Sequence, residues 1–180
     1  MLPLVLGGLT RHEHIDEWVQ SELVQVDSLG GHQFRFVFDK SVLAEGDLDF
    51  SKAIENALRP GLNLMASAET DVFRYFQDTM RLLADEAPDL AIAKAADVWQ
   101  HVDFGETIHV HRRRGDKYVE AGVYLDVECS CEWEREHGLQ LVFRDGLEVV
   151  KVGMYDGHLT NAHAFGDPRL VGVVYRPPEK

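Results

Sequence analysis

With 180 residues, 45% of them hydrophobic and 27% charged, the chain has the composition of a globular domain and excludes a globally disordered state. Eighteen Lys and Arg against 31 Asp and Glu leave a net charge of −13, which disfavours nucleic acid and acidic membranes as partners and favours a basic protein. No apolar run approaches bilayer length, the short apolar N-terminus lacks a basic flank and a cleavage site, and the two cysteines lie one residue apart, so the expectation is a reduced, cytoplasmic protein.

Residues 3–39 read as strand-rich. Val24 and Val26 alternate with Leu23 and Gln25, Gly30-Gly31 supplies a turn, and Phe34, Phe36 and Phe38 alternate with Arg35 and Val37, which is the pattern of a hairpin. Residues 49–102 read as helical. Phe50, Ala53, Ile54, Ala57 and Leu58 recur on one helical face, with Asp49 as N-cap and Pro60-Gly61 as the stop. A second helix is expected from Ser67, burying Val72, Phe73, Phe76, Met80 and Leu83. A third, Ala-rich helix is expected from Pro88 toward Trp99.

Residues 106–153 read as an antiparallel meander. Its clearest hairpin has Asp145-Gly146 as a two-residue type I′ loop, which sets Leu141 opposite Val150 and Phe143 opposite Glu148. Leu139, Leu141, Phe143, Val150 and Val152 then share the core face. A Gly- and His-rich loop and a C-terminal strand, Leu170 to Tyr175, fill 154–176. The sum is an α+β fold over residues 1–180, with an antiparallel sheet packed against two or three central helices.

Strand parity places Cys129 and Cys131 on the same face as Val123, Leu125 and Val127, so the thiols read as small core hydrophobes. Tyr124, Asp126, Glu128 and Ser130 take the opposite face. His109 and His111 form a His-x-His on one strand face, and with His137 and His158 they are the candidate ligands of a divalent metal. The set His109, His111, Glu120 and His158 is faintly similar to a cupin site, but Gly115 and Asp116 stand where that motif has its glutamate. Glu132, Glu134 and Glu136 crowd around Trp133, the pattern of an aromatic docking anchor with an acidic rim. Arg112-Arg113-Arg114 is a short basic cluster with the chemistry to grip a phosphate. Phosphate-loop, dinucleotide-binding, zincin and nucleophile-elbow motifs are absent.

The run from Cys129 through Trp133 and Glu136-His137-Gly138-Leu139-Gln140-Leu141-Val142-Phe143, followed by Asp156-Gly157-His158-Leu159-Thr160, resembles an uncharacterised bacterial family of domains of unknown function, of the DUF6985 type. The resemblance extends to Trp18 and to Val98-Trp99. Similar domains occur near bacterial toxin genes, which implies an immunity protein or another partner-binding protein. By their side-chain hydrogen-bonding chemistry Glu136 or His137, and Asp156 in its own turn, are expected to tie down local turns. A shared ligand or metal site is the alternative if the 129–137 and 154–163 segments meet. Charge, missing motifs and resemblance together lead to the expectation of a non-enzymatic protein-binding domain without cofactor. Its binding residues would be Glu132, Trp133, Glu134, Glu136, His137, Asp156 and His158; a metal-dependent enzyme is the alternative.

Overall fold

In the computed structural model, which describes residues 6–43 and 48–178, Gly30 and Gly31 make the expected turn with φ of 72° and 78°, a region that residues with a Cβ resist. Short strands β1 (Thr10–Arg11), β2 (Trp18–Gln20) and β3 (Val24–Val26) precede it, and β4 (His32–Asp39) follows. Both β2 and β3 run antiparallel along one edge of β4. Ser21 bridges the gap between them. Its backbone N–H donates to Phe36 O (3.0 Å), and its Oγ accepts from Phe36 N (2.9 Å), so a hydroxyl replaces the missing carbonyl.

β4 pairs with β5 (Val102–Arg113) in parallel, a joint that antiparallel patterning does not announce. Parallel neighbours need a crossover. Here it carries α1 (Lys40–Leu43), α2 (Leu48–Ala57), α3 (Leu64–Leu83) and a 3-10 turn (Ala95–His101). The expected stripe Phe50, Ala53, Ile54 and Ala57 is buried on α2. The helix begins at Leu48, so Asp49 lies in its first turn rather than at the N-cap, which falls outside the described residues. α3 starts before Ser67 because Asn63 caps it, its side chain accepting from Ala66 N (2.9 Å). Val72 and Phe76 are buried as expected, joined by Tyr75.

No α-helix forms from Pro88. The chain has no regular structure until the 3-10 turn, because Leu90, Ile92, Val98 and Trp99 do not recur on one helical face; Ile92 and Val98 are buried individually instead.

The meander is present as β5, β6 (Gly122–Cys131), β7 (Glu134–Arg144) and β8 (Glu148–Gly153). The sheet order is β1-β2-β4-β5-β6-β7-β8, with β3 on β4, and with the helices it makes an α+β fold. The β7–β8 hairpin departs from the expected register. Its loop holds three residues, Asp145 to Leu147, and a bulge between Val142 and Phe143 sets Leu141 opposite Val152 and Phe143 opposite Val149. Val150 is thereby displaced from the core face and packs in a small cluster on the other side of the sheet. Gly146 is required at the loop because a Cβ there would stand 2.0 Å from Ala53 O of α2.

The main core joins the helical stripes to Phe34, Phe36, Ile108, Leu125, Val127, Leu139, Leu141 and both cysteines. Cys129 and Cys131 are free thiols at 3% and 5% exposure, and burial pushes the Cys131 thiol up to about 12. Beyond β8 come α4 (Asn161–Phe165) and a 3-10 turn (Pro168–Leu170). The expected C-terminal strand is reduced to one parallel bridge, Val152 to Tyr175, since Gly172 turns the chain with φ of 78°. No helix among the described residues is long and apolar enough to cross a membrane.

Candidate functional site

On β6, Tyr124, Asp126 and Glu128 alternate with the core residues and face away from the helices, as parity requires. Two of these strands' neighbours add buried polar groups to that outer face: Gln140 on β7 at 0% exposure and Lys151 on β8 at 1%. The three side chains are linked. Gln140 Nε2 donates to Asp126 Oδ1 (2.9 Å), and Lys151 Nζ donates to Gln140 Oε1 (2.8 Å), to His158 O (3.0 Å) and to the Asp156 carboxylate. An ammonium has three protons, and these three acceptors occupy them. Asp156 Oδ1 also accepts from His158 N (2.8 Å) and lies 3.2 Å from His158 Nδ1.

This network fastens the 154–163 segment to the sheet. Thr160 Oγ1 donates to Tyr118 O (2.9 Å), and Asn161 Nδ2 donates to Val173 O (2.9 Å) and Val174 O (3.0 Å), completing a roof over β6–β8. Leu159 packs beneath it with Val119, Tyr124 and Val142. Asp156 and His158 are therefore anchoring residues of the roof. Lys151, saturated and buried, is a structural pin with no proton position left for substrate.

Burial raises the Asp126 carboxyl to about 6, against the opposing pull of the Gln140 hydrogen bond and the Lys151 charge. Burial likewise lowers His111 to about 4, helped by His109 and Arg113, and lowers His109, helped by His12. Asp126 Oδ2 and His111 Nε2 are 4.0 Å apart, too far for the hydrogen bond that an acid–base dyad requires.

Along β5 the same face carries a row of rings that the roof does not reach. Trp18 is half-buried and meets His109 edge-on at 5.0 Å; His12 meets Trp18 at 5.7 Å, and His109 stacks on His111 at 6.3 Å. Trp18, His109 and His111 border a shallow depression of about 220 Å³, which also includes Val37, Asp39, Arg112 and Arg113. Exposed Glu13, Asp16 and Glu17 flank Trp18 in sequence, and exposed Asp39 is its cross-strand partner.

The Glu132–His137 turn takes a different role from the expected docking anchor. Trp133 is 1% exposed, packed against Tyr75 (6.1 Å) and Phe76 (5.8 Å) of α3, so it is a core residue. The hairpin bends inward there because β6 and β7 shift register between Cys129 and Cys131. Glu134 caps the turn, accepting from Glu136 N (3.0 Å) and His137 N (2.8 Å) and pairing with His137 Nδ1 (3.3 Å). Glu132 pairs with His101 (3.0 Å), and Glu136 is exposed. Tyr75 Oη donates to Gly138 O (3.0 Å), and a Cβ on Gly138 would stand 2.4 Å from Cys129 O. The Trp-to-Gly motif thus locks the hairpin onto α3. Among the described residues no hydrogen bond or ion pair joins this turn to Asp156 or His158.

The four candidate metal ligands also stay apart. His109 and His111 stack on β5, His137 pairs with Glu134, and His158 is held by Asp156; no group of three or more metal-capable side chains forms among the described residues. Glu120, the cupin-like candidate, pairs with Arg144. The sequence alone assigns no site role to Asp126, Gln140, Lys151 or Trp18. The usable signal was Lys151, a lone cation between Val150 and Val152 in an apolar strand.

No curated protein and no solved structure matches the chain. The family model described as a domain of unknown function, DUF6985, matches residues 5–159, which takes in the capped hairpin, the Asp126–Gln140–Lys151 network and the Trp18 face, and the chain belongs to that family.

Proposed function

We propose that the chain is a non-enzymatic protein-binding domain, and that a partner with a basic surface docks on the open part of the outer sheet face around Trp18. The observation that supports this most is the partly exposed indole, seated edge-on against His109 at 5.0 Å with exposed Asp39 as its cross-strand partner. A ring already held on a strand loses little freedom on binding, and aromatic anchors commonly carry interface energy. The acids add encounter rate, since the whole chain carries −13. Neutralisation of a toxin in the cytoplasm is the form of binding that the family resemblance implies, and two buried, reduced thiols fit that compartment.

The test is an affinity capture from native-host extract with wild-type and Trp18→Ala baits, at about 50 mM and about 500 mM salt. A basic protein retained by the wild type at low salt, and lost both with the variant and at high salt, is expected. Equal recovery on the two baits removes Trp18 from the interface.

A further inference from the structure

Of the basic triplet, Arg112 is half-buried while Arg113 and Arg114 are exposed. Arg112 and Arg113 end β5 and Arg114 follows it, beside the first residues of β6, and Lys52 and Asn56 of α2 border the same corner. Together they line a cleft of about 590 Å³, within the size range of small-ligand sites. Four cations, Lys52 and the three arginines, line it against two carboxylates, Asp49 and Asp145. In a chain of net charge −13 this is a local inversion of sign.

Both carboxylates have structural duties. Asp49 lies 3.7 Å from Arg112, whose guanidinium rests over the Phe50 ring at 4.5 Å. Asp145 Oδ1 accepts from Val123 N (2.9 Å), and Asp145 O accepts from Asn56 Nδ2 (2.9 Å). These bonds fix the wall of the cleft, as does Gly146 against Ala53 O. The remaining lining includes Ala53, Ala121 and Leu147, with Leu147 43% exposed. The lining thus combines cationic hydrogen-bond donors with apolar surface from Ala121 and Leu147.

We infer that this cleft binds a small organic phosphate, of the nucleoside diphosphate class, with its phosphates toward the arginines and Lys52 and its organic body on the alanine and leucine surface. Guanidinium groups match phosphate oxygens in charge and geometry. The cleft is larger than an inorganic anion needs, and its apolar surface gives a purpose to the extra volume. Arg112 and Arg113 also border the Trp18 depression, whereas Lys52 and Arg114 line the cleft alone, so substitutions of Lys52 and Arg114 test the cleft apart from the docking face.

The experiment is calorimetric titration of the full chain with ADP, pyrophosphate and adenosine, each up to about 5 mM. ADP is expected to bind with salt-dependent affinity, pyrophosphate more weakly, and adenosine not at all. Lys52→Ala/Arg114→Ala, checked for an unchanged thermal midpoint, is expected to weaken ADP by about tenfold or more, while Trp18→Ala leaves it unchanged. If the double variant loses midpoint, line broadening of cleft amides in NMR titration of the wild type replaces it as the readout. Absence of ADP binding, equal binding by the folded double variant, or pyrophosphate binding as tightly as ADP would each overturn the assignment.

Discussion

Asp126→Asn should make the protein more stable at neutral pH and leave no such advantage in acid. The Asp126 carboxyl is raised from an ordinary 3.8 to about 6 because burial penalises its charge. The folded state therefore holds the proton more tightly than the unfolded chain. Relative stability from this group is fully present below pH 3.8 and is lost as pH rises through about 6. At about 1.4 kcal/mol per tenfold in proton affinity, the ionised group costs about 3 kcal/mol at neutral pH. Asparagine cannot ionise, and its Oδ1 can still accept from Gln140 Nε2. Its amide N–H faces the same surroundings as the protonated carboxyl, so little else changes. Relative to wild type, the variant should gain about 3 kcal/mol more at about pH 8 than at about pH 4. That corresponds to a difference of about 6–12 °C in the thermal-midpoint shift for a chain of this size. Urea unfolding of both proteins at the two pH values measures it. Parallel stability–pH curves, or a larger loss at high pH, would show that the ionised carboxylate is stabilised by Lys151 and refute the burial argument.

Trp133→Ala should cost about 3–5 kcal/mol in urea unfolding, because the indole fills the space between the hairpin and α3; an unchanged midpoint would return it to the surface. Gly146→Ala should destabilise by more than about 1 kcal/mol, since φ is 67° and the added methyl meets Ala53 O; differential scanning calorimetry reads the shift. Cys129→Ser should cost about 1–3 kcal/mol by placing a hydroxyl in apolar surroundings. In the wild type, both thiols should react with a bulky maleimide only at the rate of unfolding.

The elements legible in the sequence were those with strong local periodicity. The Phe34-Phe36-Phe38 alternation, the α2 stripe and the parity of Cys129 and Cys131 each place a residue by its own neighbours. What stayed hidden depended on distant partners. The parallel β4–β5 joint is made across the whole helical crossover. Trp133 lies beside exposed-looking glutamates in sequence, yet the register shift between β6 and β7 turns it under Tyr75 and Phe76. The bulge at Val142 moved Val150 off the core face, which no two-residue loop would do. Asp156 ties its own turn, as expected, by accepting from His158 N. The acceptor role of Asp156 and His158 toward Lys151 comes from a residue that alternation alone would have assigned to a strand face without a partner.

The docking claim turns on one side chain. Once a captured partner is in hand, its dissociation constant should be measured by calorimetry against wild type and a Trp18→Ala variant of matching thermal midpoint. A docked anchor of hot-spot size predicts about 30-fold weaker binding by the variant. An unchanged dissociation constant would contradict docking at the Trp18 face.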